Sequence, residues 1–468
     1  MEETKKKKGF SVPHVYSLLI GLVLICALLT YIIPAGTYDM MTTADGRSVV
    51  DPATYHRIEQ TPVSLMGMMS AVFEGCMAAA DIIFLIFICG GAFGVVFETK
   101  ALDAAIVRIA LAMQGKEKLI IPILMAVFCF MGCTIGSAED LIVYVPIVMS
   151  LCLALGFDSI TATAIILVGA GAGFAGSMMN IYTEGVAQSI AGLPLFSGMG
   201  FRSVILVVMF VVAVIYVWRY ASKVKKDPTI STMYDFDQTR EQNITLSKED
   251  NPMGFGQIVI CLAFVATIAM LVVGTLKLGW WYSLFCGLFF GLGIVAAIFG
   301  KMSLNQFGQS FARGMADITT GALVVGVARA ILIVLESGHI IHTLLFAASS
   351  VLQGLPGIVC AEGMYVVQCL TNYLIPSGSG QAAVTMPLMA PLADVVGVTR
   401  QTACIAFQMG DGISNIFTPT SGYLMATLGM AKIPWDKWAK FIVPLIGIWY
   451  AIGAVFVGVA YVIKLGPF

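Results

Sequence analysis

PGIVCAEGMYVVQCLTNYLIPSGSGQAAVTMPLMAPLADVV, residues 356–396, consists of two apolar runs on either side of Pro376-Ser377-Gly378-Ser379-Gly380, a cluster that breaks a helix at its middle. The stretch therefore reads as a helical hairpin that enters a membrane and returns. Residues 119–155 repeat the pattern, broken at Gly132-Cys133-Thr134-Ile135-Gly136-Ser137. Irregular backbone at membrane depth survives only where protein or a water-filled cavity covers it, so both tips point to an internal site.

Outward from the hairpins, uncharged runs able to cross about 30 Å of hydrocarbon lie at 15–34, 78–97, 159–185, 202–220, 256–277, 279–299, 316–335, 401–428 and 440–463. The expectation is an all-α polytopic membrane protein with nine full crossings plus two hairpins. Composition agrees: 59% of the 468 residues are hydrophobic and 11% charged, and the mean hydropathy is +0.91. A net charge of −1 removes the basic excess that a nucleic-acid partner requires. The eleven cysteines form no CxxC pair and read as small buried hydrophobes. The apolar run after Lys5–Lys8 is too long for a signal peptide and lacks its cleavage pattern, so it reads as a first membrane helix.

Of 26 Lys and Arg, nineteen fall in segments placed inside the cell, six (Arg47, Arg57, Arg202, Lys277, Arg400, Lys464) outside, and Arg329 within the bilayer. This distribution predicts a cytoplasmic N-terminus. The domain reading follows: 1–62, N-terminal helix and external loop; 63–221, a first repeat with the hairpin 119–155 opening to the cytoplasm; 222–254, a cytoplasmic linker; 255–301, connecting helices; 302–468, a second repeat with the hairpin 356–396 opening outside. An offset of 238 lays Phe73, Met77 and Glu98 on Phe311, Met315 and Glu336, and an offset of 241 lays Pro146, Gly156 and Thr161 on Pro387, Gly397 and Thr402. With an odd number of crossings between them, these are two inverted-topology repeats, each with a re-entrant hairpin and an interrupted helix.

In such folds the site lies between the repeats, where broken backbone offers free N–H and C=O groups. The candidate substrate-binding residues are Thr134, Ser137, Glu139, Asn180, Thr183, Glu184, Arg329, Ser377, Gly378, Ser379, Asp411, Asn415, Thr418, Thr420 and Ser421, with Na⁺ candidate positions near Ser137, Asn180, Ser379 and Asn415. Ionisable residues at membrane depth are costly unless they face a partner or water, which singles out Arg329, Glu139, Asp140, Glu184 and Asp411. Arg329 either pairs with a carboxylate of the protein or clamps one on a substrate. Asp81, Glu98 and Glu336 sit at helix ends, where snorkelling suffices. Gly171-Ala172-Gly173-Phe174-Ala175-Gly176 satisfies GxGxxG but follows no strand, so it is not a nucleotide loop.

Val12-Pro13-His14, Tyr31 to Gly36, Ala138-Glu139-Asp140, Ile190 to Gly198, Gly410-Asp411-Gly412 and Thr418-Pro419-Thr420-Ser421-Gly422 together resemble the YfcC/ArcD-type basic amino acid antiporters, relatives of the anaerobic C4-dicarboxylate carrier C type in the ion transporter superfamily. The resemblance implies a homodimer in a bacterial inner (cytoplasmic) membrane, working by an elevator motion of the hairpins and interrupted helices. The chain departs from the family pattern at Ile181, Glu184 and Asp140.

The functional expectation is a secondary active transporter for a small amino acid, basic in class, by exchange or by coupling to Na⁺ or H⁺, with no other cofactor. The alternative is an ion-coupled carrier of C4-dicarboxylates or other small carboxylates. A membrane enzyme is disfavoured because His14, His56, His339 and His342 lie off the proposed site. A channel is disfavoured because hairpins with inverted symmetry suit alternating access.

Overall fold

The computed structural model describes residues 15–42, 48–51, 53–112, 115–134, 138–240, 252–278, 280 and 282–466. Helices dominate because a segment in lipid must satisfy its backbone groups within itself. Among the described residues six helices are long and apolar enough to span a membrane: Ala80–Glu98, Glu117–Thr134, Ser159–Gly176, Met199–Lys226, Tyr282–Phe299 and Trp435–Val462. Leu304–Asp317 and Ala322–Ser337, bent by 41°, count as a seventh if taken as one span. Strands occur only in the loop after the first helix, where Gly36–Thr37 pairs antiparallel with His56–Arg57 and Met40–Thr42 with Ser48–Val50 among the described residues.

By length and composition the described residues thus give fewer spanning helices than the nine crossings expected from hydropathy. The runs at 15–34 and 256–277 appear as the apolar helices Val15–Ile32 and Phe255–Leu278. The run at 159–185 is helical only to Gly176; Asn180 then caps a π turn, Ile181–Gly185, and a five-residue helix, Val186–Ile190. The run at 401–428 divides into Arg400–Ser414 and Gly422–Met430. Hydropathy does not register such breaks, because the Ser, Asn and Gly that make them carry no charge. The first arm of the 119–155 hairpin also meets the span criteria by itself.

One order of elements occurs twice. A pair of consecutive helices (Leu65–Ala78 with Ala80–Glu98; Leu304–Asp317 with Thr319–Ser337) is followed by hairpin arms, a broken helix, and a closing helix of 28 residues, Met199–Lys226 or Trp435–Val462. The two helix pairs cross closely: a Cβ on Gly314 would come within 3.0 Å of the Gly94 Cα, so this crossing excludes a side chain.

The two broken helices form the centre. Ser159–Gly176 is buried along its whole length, and Arg400–Ser414 from Gln401 onward. Helix ends leave carbonyls unsatisfied, and in lipid these must find partners. Gln408 Nε2 donates to the Phe174 and Ala175 carbonyls, 3.1 Å each, while Trp438 Nε1 donates to Ile416 O at 2.9 Å and Trp435 Nε1 to Phe417 O at 3.0 Å.

The expected linker at 222–254 begins as helix, since Met199–Lys226 runs into it. It then docks on the start of Ser159–Gly176. Tyr220 and Ser231 donate to Asp158 Oδ2 (2.7 and 2.6 Å), the Ser159 N–H donates to Asp237 Oδ2 (2.9 Å), and Arg240 bridges Asp237 to the Ala431 carbonyl (2.6 Å). Two carboxylates at a helix N-terminus complement its dipole.

Candidate functional site

A cavity of ≈ 320 Å³ opens where the second hairpin tip meets both helix breaks and helix Thr319–Ser337. Its polar lining comes from Thr183, Arg329, Ser377, Ser379, Asp411, Asn415 and Thr420, with Gly378 between the two serines. Phe174, Tyr182, Tyr282 and Tyr423 supply aromatic surface, and Ala138 reaches it from the first hairpin.

The tip is shaped by its own sequence. Ser377 is extended, and its Oγ accepts from the Gly380 N–H at 3.4 Å, starting the helix Gly378–Val396. Gly378 is required by proximity: a Cβ there would lie 3.1 Å from Asp411 Oδ2 and 3.3 Å from the Thr183 Cβ. The hairpin backbone thus touches both interrupted helices.

Asp411 is the buried acid of the cavity, 3% exposed. Its Oδ1 accepts from Asn372 Nδ2 and Asn415 Nδ2, both at 2.9 Å, while Oδ2 accepts no hydrogen bond among the described residues. Arg329 is exposed along the lining and forms no ion pair among the described residues. One cavity therefore presents a guanidinium and a carboxylate oxygen. Among the described residues the Thr183 hydroxyl and Asn415 Oδ1 are buried without partners, which leaves oxygen ligands for an ammonium group or a hard cation.

The remaining expected site residues lie outside this lining, and Thr420 within it is held by protein partners. Glu184 and Arg202 are both completely buried and pair with each other, and Arg202 Nη2 also donates to Met178 O at 3.4 Å inside the break. Arg202, read from the sequence as an external charge, is thus the buried partner that takes Glu184 away from the cavity. Asn180 Oδ1 is occupied by the Tyr182 and Thr183 N–H groups (2.9 and 3.2 Å), so it shapes the turn that carries Thr183. Thr134 donates to Phe130 O at 2.6 Å. The hydroxyls of Thr418 and Thr420 lie 2.8 Å apart, and Thr420 donates to Tyr373 O at 2.9 Å. Ser421 is buried with an unpartnered hydroxyl. Ser137 and the side chain of Glu139 fall outside the described residues.

Sequence reasoning missed Asn372 and Gln408. The available signal was polar amides inside otherwise apolar runs, Gln368 and Asn372 one turn apart and Gln408 three residues before Asp411. Amides carry no charge, so the cost of burying an ionisable group at membrane depth does not single them out.

Comparison with known proteins adds to this geometry. The profile of the C4-dicarboxylate anaerobic carrier family matches residues 12–462. YfcC of Escherichia coli (strain K12), whose name describes it provisionally as a basic amino acid antiporter, is 33% identical, the alignment covering 97% of each chain. An uncharacterised protein of Haemophilus influenzae is 29% identical over 97% of this chain and 98% of its own. Among solved structures, MtrF of Neisseria gonorrhoeae, described with a class of antimetabolite efflux pumps, has a TM-score of 0.43 at 16% identity, covering 98% of this chain and 97% of its own. The YdaH transporter of Alcanivorax borkumensis has a TM-score of 0.41 at 15% identity, covering 96% and 98%.

Proposed function

This chain belongs to the C4-dicarboxylate anaerobic carrier family, a family of membrane transporters, and on that footing we propose that it carries a small amino acid of the basic, arginine- or ornithine-like class, by exchange or by ion-coupled uptake. One observation carries the reading: Arg329 and Asp411 line the same ≈ 320 Å³ cavity, and Asp411 Oδ2 accepts no hydrogen bond among the described residues. A planar guanidinium takes a carboxylate through paired hydrogen bonds, and a buried carboxylate takes an ammonium group. An α-amino acid supplies both. The name of the Escherichia coli relative supports the same class.

The mechanism we propose is an elevator. Two inverted-topology repeats contribute the hairpins and broken helices to one moving body, which carries the cavity across against the two helix pairs that precede the hairpins. The protein sits in a bacterial inner membrane as a homodimer, N-terminus in the cytoplasm, and Na⁺ or H⁺ is the coupling ion if exchange is not the driving process. Asn415 and Ser379 remain Na⁺ candidates; the oxygen of Asn180 is already engaged, and Ser137 lies outside the described residues.

The family's description favours a second reading, transport of a C4-dicarboxylate, in which a cation would compensate Asp411. Counterflow in proteoliposomes separates the two, with L-arginine, L-ornithine, neutral amino acids and succinate as substrates and Na⁺ and pH gradients imposed separately. Exchange of the basic amino acids without succinate transport is expected. Sodium-driven succinate uptake with no amino acid exchange would replace the first reading by the second.

A further inference from the structure

From the hydrogen bonds behind the cavity we infer that Asn372 is a positioning residue, which orients the Asp411 carboxylate so that Oδ2 is presented to the substrate. Asn372 and its neighbours form a ladder between the two arms of the second hairpin. Gln381 Nε2 donates to the Gln368 carbonyl (2.9 Å) and to Gln368 Oε1 (2.8 Å), Gln368 Nε2 donates to Thr385 Oγ1 (3.0 Å), and Thr385 Oγ1 donates to Gln381 O (2.8 Å). With its own NH₂ spent on Gln368, Gln381 turns Oε1 toward Asn372, whose Nδ2 donates to it at 3.0 Å and to Asp411 Oδ1 at 2.9 Å. Gln368, Asn372, Gln381 and Thr385 are all 0% exposed.

The direction of every amide in this ladder is forced. Flipping Asn372 would set its oxygen against Gln381 Oε1 and Asp411 Oδ1, three acceptors with no proton between them. Holding the productive orientation leaves Asn372 Oδ1 buried without a partner among the described residues, as it does Asn415 Oδ1 on the other side of Asp411. Both amides thus satisfy Oδ1, and Oδ2 remains beside the Gly378 tip. The first hairpin does not carry the ladder: at the offset of 241 that relates the repeats, Gln368 and Asn372 fall on Val127 and Met131. Among the described residues, the second hairpin alone is tied through hydrogen bonds to the acid of the cavity.

The inference rests on the amino-acid reading only for its transport probe, L-arginine. In proteoliposome counterflow, Asn372→Leu should raise the KM for L-arginine about ten- to hundredfold, the loss of one hydrogen bond to a charged group. The maximal rate should be retained; Asn372→Ser, whose hydroxyl cannot bridge both partners, serves if the leucine variant does not fold. A fall in maximal rate at unchanged KM would overturn the assignment. The second measurement needs no substrate: Ser379→Cys is introduced with Cys76, Cys261, Cys286 and Cys369 replaced by alanine, and its modification by a charged thiol reagent is timed. Asn372→Leu should accelerate modification when Asp411 is present and have no further effect in an Asp411→Ala background. Equal acceleration in both backgrounds would mean that Asn372 merely joins the hairpin arms, and would overturn the proposal. If the unmodified protein exchanges no L-arginine, the amino-acid reading falls and the thiol measurement alone decides the role of Asn372.

Discussion

Removing Arg202 should destabilise the protein far more than removing Arg202 and Glu184 together. Both side chains are 0% exposed and bonded to each other, with Glu184 Oε2 and Arg202 Nε lacking any hydrogen-bond partner among the described residues. The pair is therefore under-satisfied, and its desolvation is repaid mainly by mutual attraction. Arg202→Met would leave a carboxylate uncompensated in a dry interior, a loss of about 3–5 kcal/mol. Glu184→Gln with Arg202→Met removes both charges while keeping volume, and should recover most of that loss. The measurement is equilibrium unfolding in mixed micelles of the two single variants and the double variant, analysed as a double-mutant cycle. A double variant as unstable as Arg202→Met, or additive single effects, would refute the view that Glu184 is held by Arg202 alone. Glu184 would then return as a residue that faces the substrate.

Three further outcomes are expected. Arg329→Lys should weaken substrate binding in the counterflow assay by about tenfold or more, because an ammonium cannot reproduce the paired hydrogen bonds of a guanidinium, while thermal unfolding stays unchanged. Gly314→Val should cost about 1–3 kcal/mol in the same unfolding assay, since its side chain would enter the crossing with Gly90 and Gly94. In the linker, burial raises the Asp237 carboxyl above its ordinary value, against the lowering effects of the Ser159 N–H and the Arg240 guanidinium. The folded state then holds the proton more tightly than the unfolded chain, so this contribution to stability is present at acidic pH and lost as pH rises through the raised value. Unfolding followed from about pH 4 to about pH 7 should show that loss in the native sequence and not in Asp237→Asn.

How much of the protein could be read before folding depends on the range of the forces involved. Membrane helices were legible because burial in lipid is paid residue by residue along a local segment, and the hairpin tips at Gly132–Ser137 and Pro376–Gly380 because Gly, Ser and Pro act on the backbone where they stand. Arg329 stood out for the same reason, a single charge in an apolar helix. Helix breaks at Ser177–Asn180 and Asn415–Ser421 were hidden from hydropathy and became definite only with the dihedral path of the chain. Partnerships between side chains were not legible at all. Glu184 and Arg202 are 18 positions apart, Asn372 and Asp411 are 39, and Gln408 reaches the Phe174 carbonyl across 234. Whether a polar group at membrane depth faces a cavity or a neighbour turns on distances of about 3 Å set by packing, and for that reason only the tertiary structure decided that Asp411 keeps an oxygen for the cavity while Glu184 does not.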